Sequence, residues 1–235
     1  MESRKTFEER IDDFTKRDFF LEKKFFVPRW SVKEKVGPTN HFLDYSGDTI
    51  VFDLEQKYKD KIYEMVSRLH EQVPECFCDK LDKSTIHLTL HDLSSVGRSI
   101  NITQDVQDNE KKIKQILNTV KIFPNEIRMK AHFIANILNI SLVLVFFPAD
   151  DEEYLKLLTI YHLFDGVQTL DYEYTPHVTL GYYNINGFDV SSVEKLEKLV
   201  NKINKDEFEM FIDTEDLFYQ HFTSMNDYRN IFTLV

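Results

Sequence analysis

Two stretches of this chain repeat one order of elements, and that repetition limits the fold more than any other feature. From Val51 to His87, 36 residues, it reads strand, helix, strand; from Val143 to His177, 34 residues, it reads the same again. In the first unit Asp48 to Leu54 is rich in β-branched and aromatic residues, and Tyr58, Ile62, Met65, Val66 and Leu69 then recur at helical spacing over 55 to 72. In the second, a strand over Asn139 to Phe147 leads to a helix at about 150 to 164, whose first turn holds Asp150-Asp-Glu-Glu, and then to a strand over Thr175 to Tyr183. Further spacing predicts a helix over 105 to 122 halted near Pro124, a strand over Glu126 to Ala135 and a helix over Val190 to Ile203. Strands near 206 to 213, 217 to 223 and 229 to 234 complete the chain. The repeated order of elements predicts two similar α+β lobes packed together.

The second strand of each unit carries the same tetrapeptide pattern. His87-Leu-Thr-Leu90 and His177-Val-Thr-Leu180 are both His-apolar-Thr-apolar, 90 residues apart. About 0.1 such tetrapeptide is expected by chance at this composition, so accident is a poor account of two at matched positions. Strand alternation sends Leu88, Leu90, Val178 and Leu180 to one face, and His87, Thr89, His177 and Thr179 to the other. Two facing imidazoles can take and give a proton at once near neutral pH, and the hydroxyls beside them can donate to phosphate oxygens where charge gathers.

These motifs resemble those of the two-histidine (2H) phosphoesterase superfamily, which includes 2′-5′ RNA ligase-like proteins and cyclic phosphodiesterases and whose signature is a pair of His-x-Thr/Ser-x motifs. The resemblance covers residues 41 to 235 and implies a single domain there with an α+β, bilobal duplicated fold, two mainly antiparallel sheets facing a central cleft with helices packed on the outside; residues 1 to 40 lie outside it and read as a helical and irregular extension. It implies roles as general base and general acid for His87 and His177, and phosphate-binding hydroxyls in Thr89 and Thr179. It also implies catalysis without a metal or other cofactor, on 2′,3′-cyclic phosphates, 2′-5′ linkages or related nucleotide and RNA ends. A non-catalytic nucleotide or RNA-end binding module, and RNA 2′-5′ end-joining, are the alternatives. Simple alternation places His91 on the face of His87, at the cleft edge or in water at the strand end. At the matching position stands Gly181, where a base or sugar could approach the backbone. Tyr182, Tyr183 and Tyr174 are further cleft candidates, and Tyr172 with Tyr174 could stack on a base. Zinc would need donors beyond His87, His177 and His91, and no carboxylate or cysteine recurs with the motifs, so no metal site is expected.

Charge bounds the partners. A formal net charge of −11 argues against coating long nucleic acid, which needs many Lys and Arg on phosphates, and favours a nucleotide or short oligonucleotide. From Lys16 to Lys35 that balance reverses locally, with seven basic residues against three acidic ones interleaved with Phe19, Phe20, Phe25, Phe26 and Trp30. Such a composition suits either a nucleotide contact or an arm whose aromatics pack on the domain. Before it, Phe7, Ile11 and Phe14 have helical spacing. Cys76 and Cys78, spaced C-x-C, match neither zinc pairs nor a redox C-x-x-C and read as reduced bystanders. The remaining histidines, His41, His70, His132, His162 and His221, read as structural or surface residues. No signal peptide and no membrane-spanning run is visible, so a cytoplasmic monomer is the expectation.

Overall fold

The computed structural model describes residues 2 to 16 and 25 to 235, with the side chains of 14 to 16 left aside. Phe14 of the helical spacing, and Phe19 and Phe20 of the basic and aromatic segment, therefore lie outside the described side chains. Helix α1 is Arg4–Lys16, followed by strand β1 (Gly47–Asp53), α2 (Gln56–Gln72), β2 (His87–Ser95) and α3 (Ile102–Thr119). Next come β3 (Glu126–Ile137), β4 (Ser141–Pro148), α4 (Asp151–His162), β5 (His177–Tyr182), α5 (Val190–Ile203), β6 (Glu209–Asp213), β7 (Leu217–Ser224) and β8 (Asp227–Thr233). The class is α+β, with one four-stranded sheet in the order β2-β1-β7-β8 and another in the order β5-β4-β3-β6. Every strand pair in both is antiparallel.

The two orders superpose as a repeat: β2 and β5, the motif strands, are both edge strands and both pair with the strand that opens their own unit. Helix boundaries follow their caps. Asn101 accepts a hydrogen bond from the Gln104 amide at 3.4 Å, so α3 starts three residues before the spacing of its apolar residues suggests. The Asp150 and Asp189 carboxylates cap α4 and α5 in the same way, at 3.1 and 2.8 Å. Helix α3 packs on β1 and β2, and α4 on β3 and β4, so each sheet has a helical cover.

One apolar cluster runs through both lobes, joining Ile50, Phe52 and Leu88 of the first sheet to Val143, Leu144 and Val178 of the second. Phe7 and Ile11 of α1, together with Phe26, belong to it as well. The Phe7 ring meets Tyr154 of α4 at 5.2 Å, and Phe26 stacks on Phe188 at 4.5 Å. Burying each such ring is worth roughly 2 to 3 kcal/mol, enough to dock the segment against the second lobe. A smaller cluster of Val32, Val36, Tyr45, Tyr182 and Phe222 fastens the stretch just before β1 over the ends of β2 and β5. Cys76 and Cys78 are free and buried, and burial pushes both thiols up to about 12, which removes them from thiolate chemistry. Among the described residues, no helix is long and apolar enough to cross a membrane.

Candidate active site

The first residue of β2 is His87 and the first of β5 is His177, and each is held by the carbonyl two residues upstream. His177 Nδ1 donates to the Thr175 carbonyl at 2.7 Å. The His87 ring makes the equivalent bond to the backbone of Thr85. Donation through Nδ1 fixes the tautomer of His177 and leaves its Nε2 as the free nitrogen. Both rings, with Thr89 and Thr179, line one cleft of about 550 Å³ between the two sheets. Across it the Tyr174 hydroxyl donates to the Thr89 carbonyl at 3.3 Å, joining the lobes directly behind the motifs.

The turn that presents His177 is braced from outside the repeat. Arg10 of α1 donates to the Tyr174 carbonyl at 2.8 Å and to the Thr175 hydroxyl at 3.1 Å, while Glu2 holds the guanidinium from the other side at 3.0 Å. The residue whose carbonyl orients the His177 ring is therefore gripped by the N-terminal helix. Nothing in the spacing around Arg10 signals this, because the contact spans 165 residues.

Each motif strand contains a bulge just after its threonine. In the first sheet Val51 pairs with Thr89 but Ile50 pairs with His91, and in the second Val143 pairs with Thr179 but Leu142 pairs with Gly181. One extra residue in each strand flips the alternation beyond it. His91 and Gly181, which simple alternation puts on the cleft face, accordingly leave it, and Asp92 and Tyr182 take their places. His91 is only 1% exposed, so neither expectation for it holds: its ring stacks on Tyr161 at 4.9 Å, away from the cleft and from water. Gly181 faces protein rather than ligand; a Cβ there would come within 3.0 Å of the Phe77 ring and 3.6 Å of His70 Nε2. Tyr183 is likewise withdrawn, fully buried against Phe26 at 4.7 Å and Phe77 at 6.0 Å. Tyr182 and Tyr174 do line the cleft, as does Tyr172.

Aromatic and charged side chains that motif reading passes over complete the walls. Tyr228, at the start of β8, lies 4.8 Å from the His87 ring. Tyr45 donates to the Ser95 hydroxyl at 3.0 Å and stacks on Phe222. Asp92 accepts from the Tyr172 hydroxyl at 2.5 Å, and the Arg98 guanidinium lies 5.5 Å from the centre of the Tyr172 ring. Lys35 reaches the cleft from the segment before β1. The signal for Tyr172 is its place two residues before Tyr174; for Lys35 it is the local excess of positive charge.

Burial sets the protonation of the two histidines. It pushes His87 from its usual 6.5 down to about 4, and the neighbouring His177 and Lys59 act in the same sense against Asp53. His177 is also lowered, first by burial and then by Lys35, with the Thr175 carbonyl and Asp92 opposing. Near pH 7 both unliganded rings are neutral bases, and a bound anion is what would restore a proton to one of them. Among the described residues, no group of three His, Cys, Asp or Glu side chains is arranged to hold a metal ion. Of the other histidines, His41, His132 and His162 pair with Asp79, Asp12 and Asp165 at 2.7 to 3.0 Å, and His70 is buried beside Phe77.

Comparison with protein-family models finds no match, and no curated protein matches the sequence. Among solved structures, a conserved protein of unknown function from Agrobacterium tumefaciens aligns over 89% of this chain and 94% of its own, at TM-score 0.66 and 16% identity. The two chains share one fold. Looser alignments reach Escherichia coli LigT, crystallised with phosphate, over 81% of this chain and 96% of that one at TM-score 0.44 and 14% identity. Kluyveromyces marxianus Usb1 aligns over 78% and 95% at TM-score 0.43 and 10% identity. At that level neither assigns chemistry to this chain, so the functional reading stands on the site itself.

Proposed function

We propose that this protein is a phosphoesterase of the two-histidine superfamily, acting on 2′,3′-cyclic phosphates or 2′-5′-linked nucleotides without a metal. The observation that carries the reading is the matched pair of imidazoles, each bonded to the backbone two residues upstream, with a threonine beside each, on the walls of one cleft. A structural histidine needs no counterpart of this kind in the other lobe.

The geometry supports an in-line displacement. One neutral imidazole takes a proton at Nε2 from the attacking water as the new oxygen–phosphorus bond forms. The bond from phosphorus to the sugar oxygen breaks, and that oxygen receives a proton from Nε2 of the other ring, then an imidazolium. Thr89 and Thr179 donate to the non-bridging oxygens, where charge accumulates. The tyrosines along the walls offer faces for a base, each worth about 1 to 3 kcal/mol where stacking is made.

The test is turnover of 2′,3′-cyclic nucleotides and 2′-5′-linked oligonucleotides by pure protein in excess EDTA. Cleavage is expected with the native chain and should fall by at least about a thousandfold in His87→Ala and in His177→Ala, as loss of a general acid or base predicts. Cleavage that survives both replacements would overturn the assignment. Tight binding of these compounds with no turnover would favour the non-catalytic module instead.

A further inference from the structure

The catalytic pairs stand at the beginnings of β2 and β5, and the opposite ends of the same two strands carry a different chemistry. Lys35 Nζ sits 5.1 Å from the centre of the Tyr45 ring and 5.2 Å from that of Tyr182. Tyr182 is the last residue of β5, and the Tyr45 hydroxyl is bonded to Ser95, the last residue of β2. The Lys35 charge also acts on His177, so the ammonium stands along the cleft wall within electrostatic reach of the catalytic pair.

This lysine is not a solvated surface residue. It is half-buried, it lines the cleft, and no carboxylate among the described residues lies within ion-pair distance of it. Its backbone is fixed: the Lys35 carbonyl accepts from the Leu43 amide at 2.9 Å, and Val32 and Val36 on either side are fully buried. A cation held over two aromatic faces without an ion-pair partner among the described residues keeps its donors available to an incoming anion. Arg98, beside Tyr172 and within the electrostatic reach of Tyr45, supplies a second positive charge at that end. Among the described residues, Lys35 and Arg98 are the two lysine or arginine side chains that line the cleft, whose other charged groups are Asp48, Asp92 and Glu173.

We propose that Lys35, seconded by Arg98, forms a second anion subsite that binds a phosphate monoester carried by the substrate in addition to the scissile diester. The subsite makes the N-terminal segment part of substrate recognition and selects nucleotides phosphorylated on the side away from the reacting bond. It deepens the phosphoesterase reading and rests on it.

Two measurements separate the claims. The first compares adenosine 2′,3′-cyclic phosphate with the same compound bearing a 5′-phosphate. The 5′-phosphate is expected to raise kcat/KM by about tenfold or more, the ratio a single charge-assisted contact provides, and Lys35→Met should collapse that ratio towards one whatever happens to the absolute rates. The preference should also shrink as salt is raised from roughly 50 to 500 mM. The second measures binding of adenosine 3′-monophosphate and adenosine 3′,5′-bisphosphate by calorimetry, with a thermal melt to establish that the variant is folded. Turnover without any preference for the 5′-phosphate, or a preference that persists in folded Lys35→Met, overturns the subsite and leaves the phosphoesterase reading intact. No turnover together with a bisphosphate preference that depends on Lys35 does the reverse.

Discussion

Binding of an anionic substrate should draw a proton into this protein, by an amount that the site's electrostatics fix. Burial holds His87 near a pKa of about 4, so at pH 7 the free ring is neutral. A phosphate charge about 4 Å from the ring is worth about 4 kcal/mol at an effective dielectric of about 20. Divided by about 1.4 kcal/mol per pH unit, that raises the bound-state value by about 3 units, to about 7. Uptake should be roughly half a proton at pH 7, falling to about a tenth at pH 8, and affinity should improve about tenfold from pH 8 to pH 6. The cleanest assay uses His177→Ala, which the proposed mechanism makes inactive, with adenosine 2′,3′-cyclic phosphate, a diester that does not itself titrate in this range. Calorimetric titrations in buffers of different ionisation enthalpy yield the proton count from their slope, and the protein lacking both histidines supplies the baseline. A slope equal to that baseline, or an affinity flat from pH 6 to 8, would refute the reasoning that burial and substrate charge together set the acid.

Further outcomes follow from other parts of the structure. Asp48 is 1% exposed, its carboxylate bonded by Ser94 N, Asn109 and the Tyr219 hydroxyl, and burial raises it from 3.8 to about 6. The folded state therefore binds more protons than the unfolded one between those values, and this group's contribution to stability falls as pH rises from about 4 to 6. Denaturant titrations should show the native chain losing about 3 kcal/mol relative to Asp48→Asn between pH 4 and pH 7. Thr179→Val keeps the volume of the side chain and removes the donor, so kcat should fall about a hundredfold with the melting temperature little changed. Arg10→Met frees the carbonyl of Tyr174 and the hydroxyl of Thr175 from their clamp. It should lower kcat about tenfold and move the pH profile, because the Thr175 carbonyl holds the His177 tautomer, while circular dichroism shows the fold retained.

Local signals were enough wherever a structural choice depended on neighbouring residues. The spacing of Tyr58, Ile62, Met65, Val66 and Leu69 is that of the buried face of α2, and Val190 to Ile203 is α5 to the residue. Where a boundary moved, the cause was a side chain at the terminus: Asn101 caps α3 and draws its start back to Ile102. The face of His87, Thr89, His177 and Thr179 was readable for the same reason, since two residues of regular strand alternate under steric rules that need no tertiary partner. Alternation failed at Leu90 and Leu180, because a bulge is set by pairing with β1 and β4, which begin 43 and 39 residues upstream of those points. That single extra residue in each strand exchanged His91 and Gly181 for Asp92 and Tyr182.

The sequence by itself determined the α+β class, the repeated order of elements and the identity of the two imidazole and hydroxyl pairs, all of which are encoded in periodicities a few residues long. Tertiary structure alone decided which strand edges meet across the cleft and how far burial lowers the histidines. It also decided that the N-terminal segment, outside the repeat, reaches in twice: Arg10 behind His177 and Lys35 over Tyr182 on the cleft wall. Those choices depend on long-range apolar docking of Phe7, Phe26, Val32 and Val36, whose partners lie across both lobes, and such contacts leave no local pattern by which a single sequence could announce them.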